Sequence, residues 1–319
     1  METITGIGSA LLDFTFEIDD ALLRDLGLAK GTMQLIDGRA SGELFEKMKG
    51  RPVQVTPGGS AANAMAGIAN LGGASVFIGK VGNDENGKTY VRDTEREGVR
   101  ALVSVHDSMT GHAITFITPD SERTFATHLG AALHLGPADI DESQVLRSGF
   151  LHLEGYILEG NMKAASARAM DIAKRGGVKI SIDLADPAFV ERNLAELQSV
   201  IGEYADIVFA NEEEAFAFTG KRGNEALDVI AGMCGVAVVK LGPAGSLVGQ
   251  GKTRIEIPPF PAKVVNTNGA GDMYAAGFLY ALAAKLPVER AGRIGSYAAS
   301  LVVASPGARF GGRIDISGI

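Results

Sequence analysis

The chain has no tryptophan, and Phe, Tyr and Trp together make up only 6% of its 319 residues. A single cysteine, Cys234, excludes internal disulfides and any cysteine-based zinc cluster. It precedes the apolar run GVAVVK and so reads as a core thiol. Positive charge is not in excess: 30 Lys and Arg stand against 38 Asp and Glu, a formal net charge of -8. That excludes a broad nucleic-acid groove and leaves small anions to be bound by local donors. No run reaches membrane-spanning length, and METITGIGSALLD has no basic segment ahead of an apolar one. The expectation is a cytoplasmic protein with neither a membrane nor a nucleic-acid partner.

Glycine is what the chain has in quantity, 42 residues, and it punctuates short apolar runs. ETITGIG, ASVFIGKV, GFLHLEG, VKISIDL, ADIVFAN and VAVVKLG are apolar along their length rather than alternating. Strands buried on both faces have that pattern. Helical patterns such as SAANAMAGIANLG and NMKAASARAMDIAKRG separate them. Strand and helix in alternation predict an α/β fold with a doubly wound, mostly parallel sheet flanked by helices. With 46% hydrophobic residues, the chain can bury a large core. One domain over 1–319 is expected.

Some segments break the rhythm by alternating apolar and polar residues: 11–18, 51–56, 101–106, 112–118 and 122–127. Alternation marks strands with one wet face. They predict a small antiparallel β lid, built from segments within roughly 11–56 and 101–128.

Several segments could bind a ligand at the carboxyl ends of parallel strands. Gly82 to Thr89, GNDENGKT, fits the P-loop expression. Yet Asp84 and Glu85 would face the polyphosphate, so a turn with Asp84 capping the next helix is preferred. In PGGSAANAM, Gly58 and Gly59 allow close backbone approach, Ser60 can cap the helix, and the Asn63 amide can reach a ligand hydroxyl. In NEEEA, Asn211 and Glu214 share a helix face where oxygen ligands could hold Mg²⁺ through water. In NTNGAGD, Gly269, Ala270 and Gly271 precede an apolar run read as an amphipathic helix. Orphan N–H groups and the helix dipole make that end an anion site. Asp272, in the first turn, is placed to take a proton from a hydroxyl attacking a phosphoryl group.

In their order, these motifs resemble the PfkB, or ribokinase-like, kinases over nearly the whole chain. GGSAANAM and NTNGAGD are similar to the family's two signatures. FIGKVGNDENGK resembles its G-x-V/I-G-x-D-x-x-G turn, NEEE its N-x-x-E motif, and VVKLGPAGSL its nucleotide-side strand and turn. The resemblance implies ATP- and Mg²⁺-dependent phosphorylation of a primary alcohol on a nucleoside or sugar. It makes Asp272 the general base and the backbone of 269–272 the anion hole. It puts Arg123 on the transferring phosphoryl group, and Asn211 and Glu214 on Mg²⁺ and phosphates. Lys240, Gly242 and Gly245 line the nucleotide; Asp13, Gly58, Gly59 and Asn63 hold the acceptor.

LLD at 11–13, Gln34 before ELF, TNGAGD and SYAASLVV lean toward adenosine-kinase-like members, with Gln34 on the acceptor. Tyr156, in EGYIL, stands where relatives place an aromatic against the base; Phe14 and Phe16 could line the same slot. The implied acceptor is therefore an adenosine-like nucleoside, with a ribokinase- or fructokinase-like sugar kinase as the alternative and a non-catalytic sensor behind both. Asn266 stands where many members carry an Asp that helps hold a monovalent cation, which puts a K⁺ requirement in doubt. Either a monomer or a homodimer is compatible.

Overall fold

The computed structural model describes residues 1–319. The chain opens on strand β1 (Ile4–Ile7), then leaves for β2 (Leu11–Glu17), helix α1 (Asp20–Asp25), β3 (Met33–Leu35), α2 (Gly38–Met48) and β4 (Gln54–Gly58). It returns through α3 (Ser60–Asn70), β5 (Ser75–Gly82), α4 (Glu85–Arg96) and β6 (Arg100–His106). A hairpin, β7 (Gly111–Ile117) and β8 (Arg123–His128), follows. Strand and helix then alternate through α5 (Glu142–Leu146), β9 (Phe150–Glu154), α6 (Lys163–Gly176), β10 (Lys179–Asp183), α7 (Pro187–Tyr204), β11 (Ile207–Asn211), α8 (Glu212–Thr219), α9 (Gly223–Ala231) and β12 (Val236–Lys240). β13 (Ser246–Gln250), β14 (Thr253–Ile257), α10 (Ala270–Ala283) and α11 (Val288–Val303) complete it.

The large sheet runs β14-β13-β12-β11-β10-β9-β1-β5-β6. Every pairing from β12 to β6 is parallel, and the β12–β13–β14 edge is antiparallel. Successive side chains enter opposite cores: Ile207 and Phe209 pack on one face, Val208 and Ala210 on the other. Because both faces are covered, these strands read as unbroken apolar runs.

The smaller sheet runs β3-β8-β7-β2-β4. It is mixed rather than wholly antiparallel: β2–β4 and β7–β8 are antiparallel, β2–β7 and β3–β8 parallel. α1 and α2 cover one of its faces through Leu23, Leu26, Leu44 and Met48. Its other face carries Thr15, Thr115 and Phe125, in register across β2, β7 and β8, and Asp13, two residues earlier on β2 and paired with Ala113.

Residues 101–106 do not belong to this sheet. They form β6, paired with β5 at the edge of the large sheet. Their alternation is that of an edge strand with one solvated side, where Val105 is 59% exposed. The helix after Gly269 also departs from expectation. α10 is wrapped on nearly every side and packs on α3 and α11, with Met273 to Leu279 all buried. It is apolar all round instead of amphipathic because it is a central helix. No helix is long and apolar enough to cross a membrane.

Candidate active site

The carboxyl ends of the parallel strands converge on one cavity. β9 to β12 end on Glu154, Asp183, Asn211 and Lys240, polar residues that close apolar strands. Asp183, Asn211 and Lys240 line a cavity of about 570 Å³. Asp13 and Phe125 enter from the small sheet, Gly59, Ser60 and Asn63 from the start of α3, Tyr156 from the turn after β9, and 267–272 from the start of α10. Two larger grooves, about 740 and 770 Å³, lie elsewhere, along α4 with β6 and along α6. The first lies at the carboxyl ends of the edge strands β5 and β6, where Lys88, Arg92 and Arg96 pair with Glu85 and Asp93, and the charges of the second pair with one another; neither shares a lining residue with the central cavity.

The start of α10 is built for an anion. Gly269 has φ +76°, and a Cβ there would lie 2.1 Å from the Ala308 carbonyl oxygen, so only glycine fits. A Cβ at Gly271 would come within 3.0 Å of Lys240 Nζ, which places that ammonium beside the loop. The Ala270 N–H turns back to the Thr267 carbonyl at 3.3 Å. The N–H groups of Gly269, Gly271 and Asp272 have no acceptor in the protein, so these three, rather than four, remain for a ligand.

Asp272 projects from the first turn into the cavity. Its Oδ1 accepts from Ser60 Oγ at 2.6 Å and its Oδ2 from Asn63 Nδ2 at 2.9 Å. Burial raises its carboxyl above the usual range, and these two bonds pull it back. Ser60 is thus not the cap of α3: Gly59 holds that position, at φ +92°, and Ser60 is the first helical residue. Asp13 is pushed up to about 6, chiefly by burial, with Arg309 opposing, Asp272 adding to the rise and Arg123 opposing. Gly58 lies outside the cavity lining, but a Cβ there would meet the Asp13 carboxylate at 2.7 Å.

On the opposite wall, Lys240 Nζ donates to Asp183 Oδ2 at 2.8 Å, a pair 14% and 5% exposed. Asn211 caps α8 and is locked to Glu214 from both directions. Glu214 N donates to Asn211 Oδ1, while Asn211 N and Nδ2 donate to the two Glu214 carboxylate oxygens at 2.7 and 2.6 Å. Glu214 is raised to about 7 by burial, with Lys240 opposing. No three His, Cys, Asp or Glu side chains converge as metal ligands. Glu214, Asn211 and Asp183 are hard oxygen donors of the kind that could hold Mg²⁺ through water, with Glu214 bonded to Asn211 and Asp183 to Lys240.

Several expected site residues lie outside the cavity. Gln34 pairs with Ala126 in register, so the pleat turns it to the helix-covered face, away from Phe125; its side chain bonds only Thr32. Arg123 Nη2 is docked on the Pro306 carbonyl at 2.8 Å. Gly245, at φ +92°, serves the β12–β13 turn, where a Cβ would strike the Ile257 carbonyl at 2.1 Å. Gly242 does line the cavity. Phe14 and Phe16 pack against α2 and the small-sheet core, so they are not a base slot. Asp84 caps α4 through Gly87 N and also binds Thr110, and exposed Lys88 pairs with Glu85, so the P-loop match is a structural turn. Asn266 is buried; its Oδ1 accepts from Asn268 N and its Nδ2 donates to the Pro306 carbonyl.

Sequence reasoning missed Phe125, Asp183, Glu154 and Arg309. Glu154 is 1% exposed and accepts from Ser9 N and Ala61 N, fastening β9 to the start of α3. Asp183 carried a legible signal, a lone acid ending the apolar run ISI. Arg309, in a glycine-rich loop, carried none.

A family model described as pfkB family carbohydrate kinase matches residues 35–314. A 5-dehydro-2-deoxygluconokinase from Geobacillus kaustophilus is 32% identical, covering 78% of this chain and 79% of that protein. The crystal structure of an adenosine kinase from Sinorhizobium meliloti superposes with a TM-score of 0.88 at 34% identity, covering 97% and 95%. That of a probable sugar kinase protein from Rhizobium etli gives 0.90 at 32%, over the same shares.

Proposed function

The chain belongs to the PfkB family of carbohydrate kinases, a phosphotransferase with an alcohol acceptor, and we propose that its acceptor is the primary, 5′-type hydroxyl of an adenosine-like nucleoside. The observation that carries the reading is Asp272, a half-buried carboxylate beside three unpaired N–H groups at a helix start. A base and an anion hole within one helical turn suit in-line transfer from ATP.

Asp272 accepts the acceptor's hydroxyl proton as the oxygen attacks. The N–H groups of Gly269, Gly271 and Asp272, with Lys240 Nζ, stabilise charge growing on the transferring group. Glu214, Asn211 and Asp183 would hold Mg²⁺ through water, and the ion would neutralise phosphate charge when bound. The small sheet closes over the cavity as a lid and excludes water, the competing acceptor. Arg123 exchanges the Pro306 carbonyl for the phosphoryl group as it closes.

Tyr156 and Phe125 line the cavity and supply flat apolar surface for a base. Lys240 is the one cation in the lining, and it lies on the phosphate side. The acceptor side presents Asp13 and Asp272 instead, which suits neutral hydroxyls and not a sugar acid. The similarity to the Sinorhizobium meliloti adenosine kinase over 97% of the chain supports the same choice. A sugar kinase is the second reading, favoured by the similarity to the Geobacillus kaustophilus 5-dehydro-2-deoxygluconokinase.

Coupled ADP release across adenosine, other nucleosides, D-ribose, D-fructose and 5-dehydro-2-deoxygluconate tests this. Adenosine-stimulated turnover is expected. Turnover with sugars alone removes the nucleoside assignment, and no turnover with any acceptor favours a non-catalytic sensor.

A further inference from the structure

We propose that Arg309 is a positioning residue, which fixes the direction of the Asn63 amide and so points its N–H at Asp272 and the acceptor. Arg309 lies outside every motif discussed above, in the loop after α11, with 8% of its side chain exposed. Its Nε donates to Asn63 Oδ1 at 2.8 Å, and Asn63 Nδ2 donates to Asp272 Oδ2 at 2.9 Å. An amide has an accepting and a donating end. Guanidinium only donates and carboxylate only accepts, so a single orientation of Asn63 satisfies both neighbours. The remaining nitrogens hold the guanidinium in place: Nη1 pairs with Glu97, which ends α4, and Nη2 reaches the Gly58 carbonyl at 3.4 Å.

The same loop touches the other parts of the site. The Pro306 carbonyl accepts from Asn266 and from Arg123, and the Ala308 carbonyl fills the space a Cβ at Gly269 would need. Arg309 thereby ties the acceptor side to the anion loop and the lid arginine. It also acts on Asp13, which faces Arg309, Asp272 and Arg123. Its positive charge favours the ionised carboxylate that would grip hydroxyls.

The inference rests on the nucleoside-kinase reading for its kinetic test, so an acceptor-independent measurement accompanies it. R309K keeps a buried cation for Glu97 but has no fork to serve Asn63 as well. With adenosine as acceptor, R309K is expected to raise the KM for adenosine about tenfold, the worth of one charge-assisted hydrogen bond, with the KM for ATP unchanged. In an N63A background, R309K should add nothing. Wild-type kinetics for R309K, or an R309K effect that multiplies with N63A, would overturn the proposal. Without any acceptor, a carbon-detected NMR titration of Asp13 should show its midpoint higher in R309Q than in the wild type. Thermal unfolding confirms that both variants fold. If wild-type protein ignores adenosine, the nucleoside reading falls while the Asp13 titration still judges Arg309: a raised midpoint upholds its action and an unmoved one refutes it.

Discussion

Ser60 Oγ lies 2.6 Å from Asp272 Oδ1, so a serine hydroxyl occupies the bond that an acceptor hydroxyl would make to the base. The bond favours the ionised carboxylate of Asp272 and opposes the upward pull of burial. Removing it should raise the Asp272 pKa, because hydrogen bonds to a carboxylate lower it. S60A is therefore expected to shift the acid limb of the kcat profile to higher pH. Its loss of kcat at neutral pH should stay within about tenfold, the value of a single hydrogen bond. A pH–rate series on S60A and wild type checks this; an unmoved acid limb contradicts it.

In its proposed role on the acceptor, Asp13 would act at the expense of stability. Its pKa rises from an ordinary 3.8 to about 6, so folding favours the neutral form. That stabilisation is fully present below the unfolded pKa and is lost as pH rises through about 6. The cost of ionised Asp13 at neutral pH is at most roughly 3 kcal/mol, reduced because part of the side chain opens onto the cavity. D13N should raise Tm at about pH 8 and leave it nearly unchanged at about pH 4. Acceptor KM should rise at the same time. Thermal unfolding of both proteins at the two pH values decides it.

Asn266 already uses both ends of its amide within the protein. Its amide nitrogen donates to Pro306 and its oxygen accepts from Asn268. Exchanging Na⁺ for K⁺ at constant ionic strength should leave wild-type kcat unchanged. N266D removes the donor and adds a charge, so it should gain K⁺ stimulation. K⁺ activation of the wild type would contradict this account of Asn266.

Lys88 is 68% exposed, paired with Glu85, and not part of the cavity lining. K88A should leave kcat and the KM for ATP unchanged within error. Loss of ATP use would restore the P-loop reading.

Much of the architecture was written in the apolar runs, because strands buried on both faces leave no room for alternation. The same signal misled at residues 101–106. Alternation reports one wet face and does not say which sheet the strand joins; β6 has a wet face because it is an edge. Asp272, Gly269 and the Asn211–Glu214 spacing were readable because helix starts have local rules. Gln34 was misread because its face depends on the register with β8, which a single strand does not encode. Arg309 was invisible because its partners, Asn63 and Glu97, are more than 200 residues away in sequence, at separations of 246 and 212. Contacts of that kind leave no spacing to read.

The central claim is that Asp272 removes the acceptor's proton. D272N preserves size and can still bond Ser60 and Asn63 in part, but it has no basic oxygen. Steady-state turnover with the best acceptor, alongside calorimetric ATP binding, tests the claim most directly. The account predicts kcat lower by about 10² to 10⁴, the usual worth of general base catalysis, with ATP affinity unchanged. Wild-type turnover in D272N would contradict it.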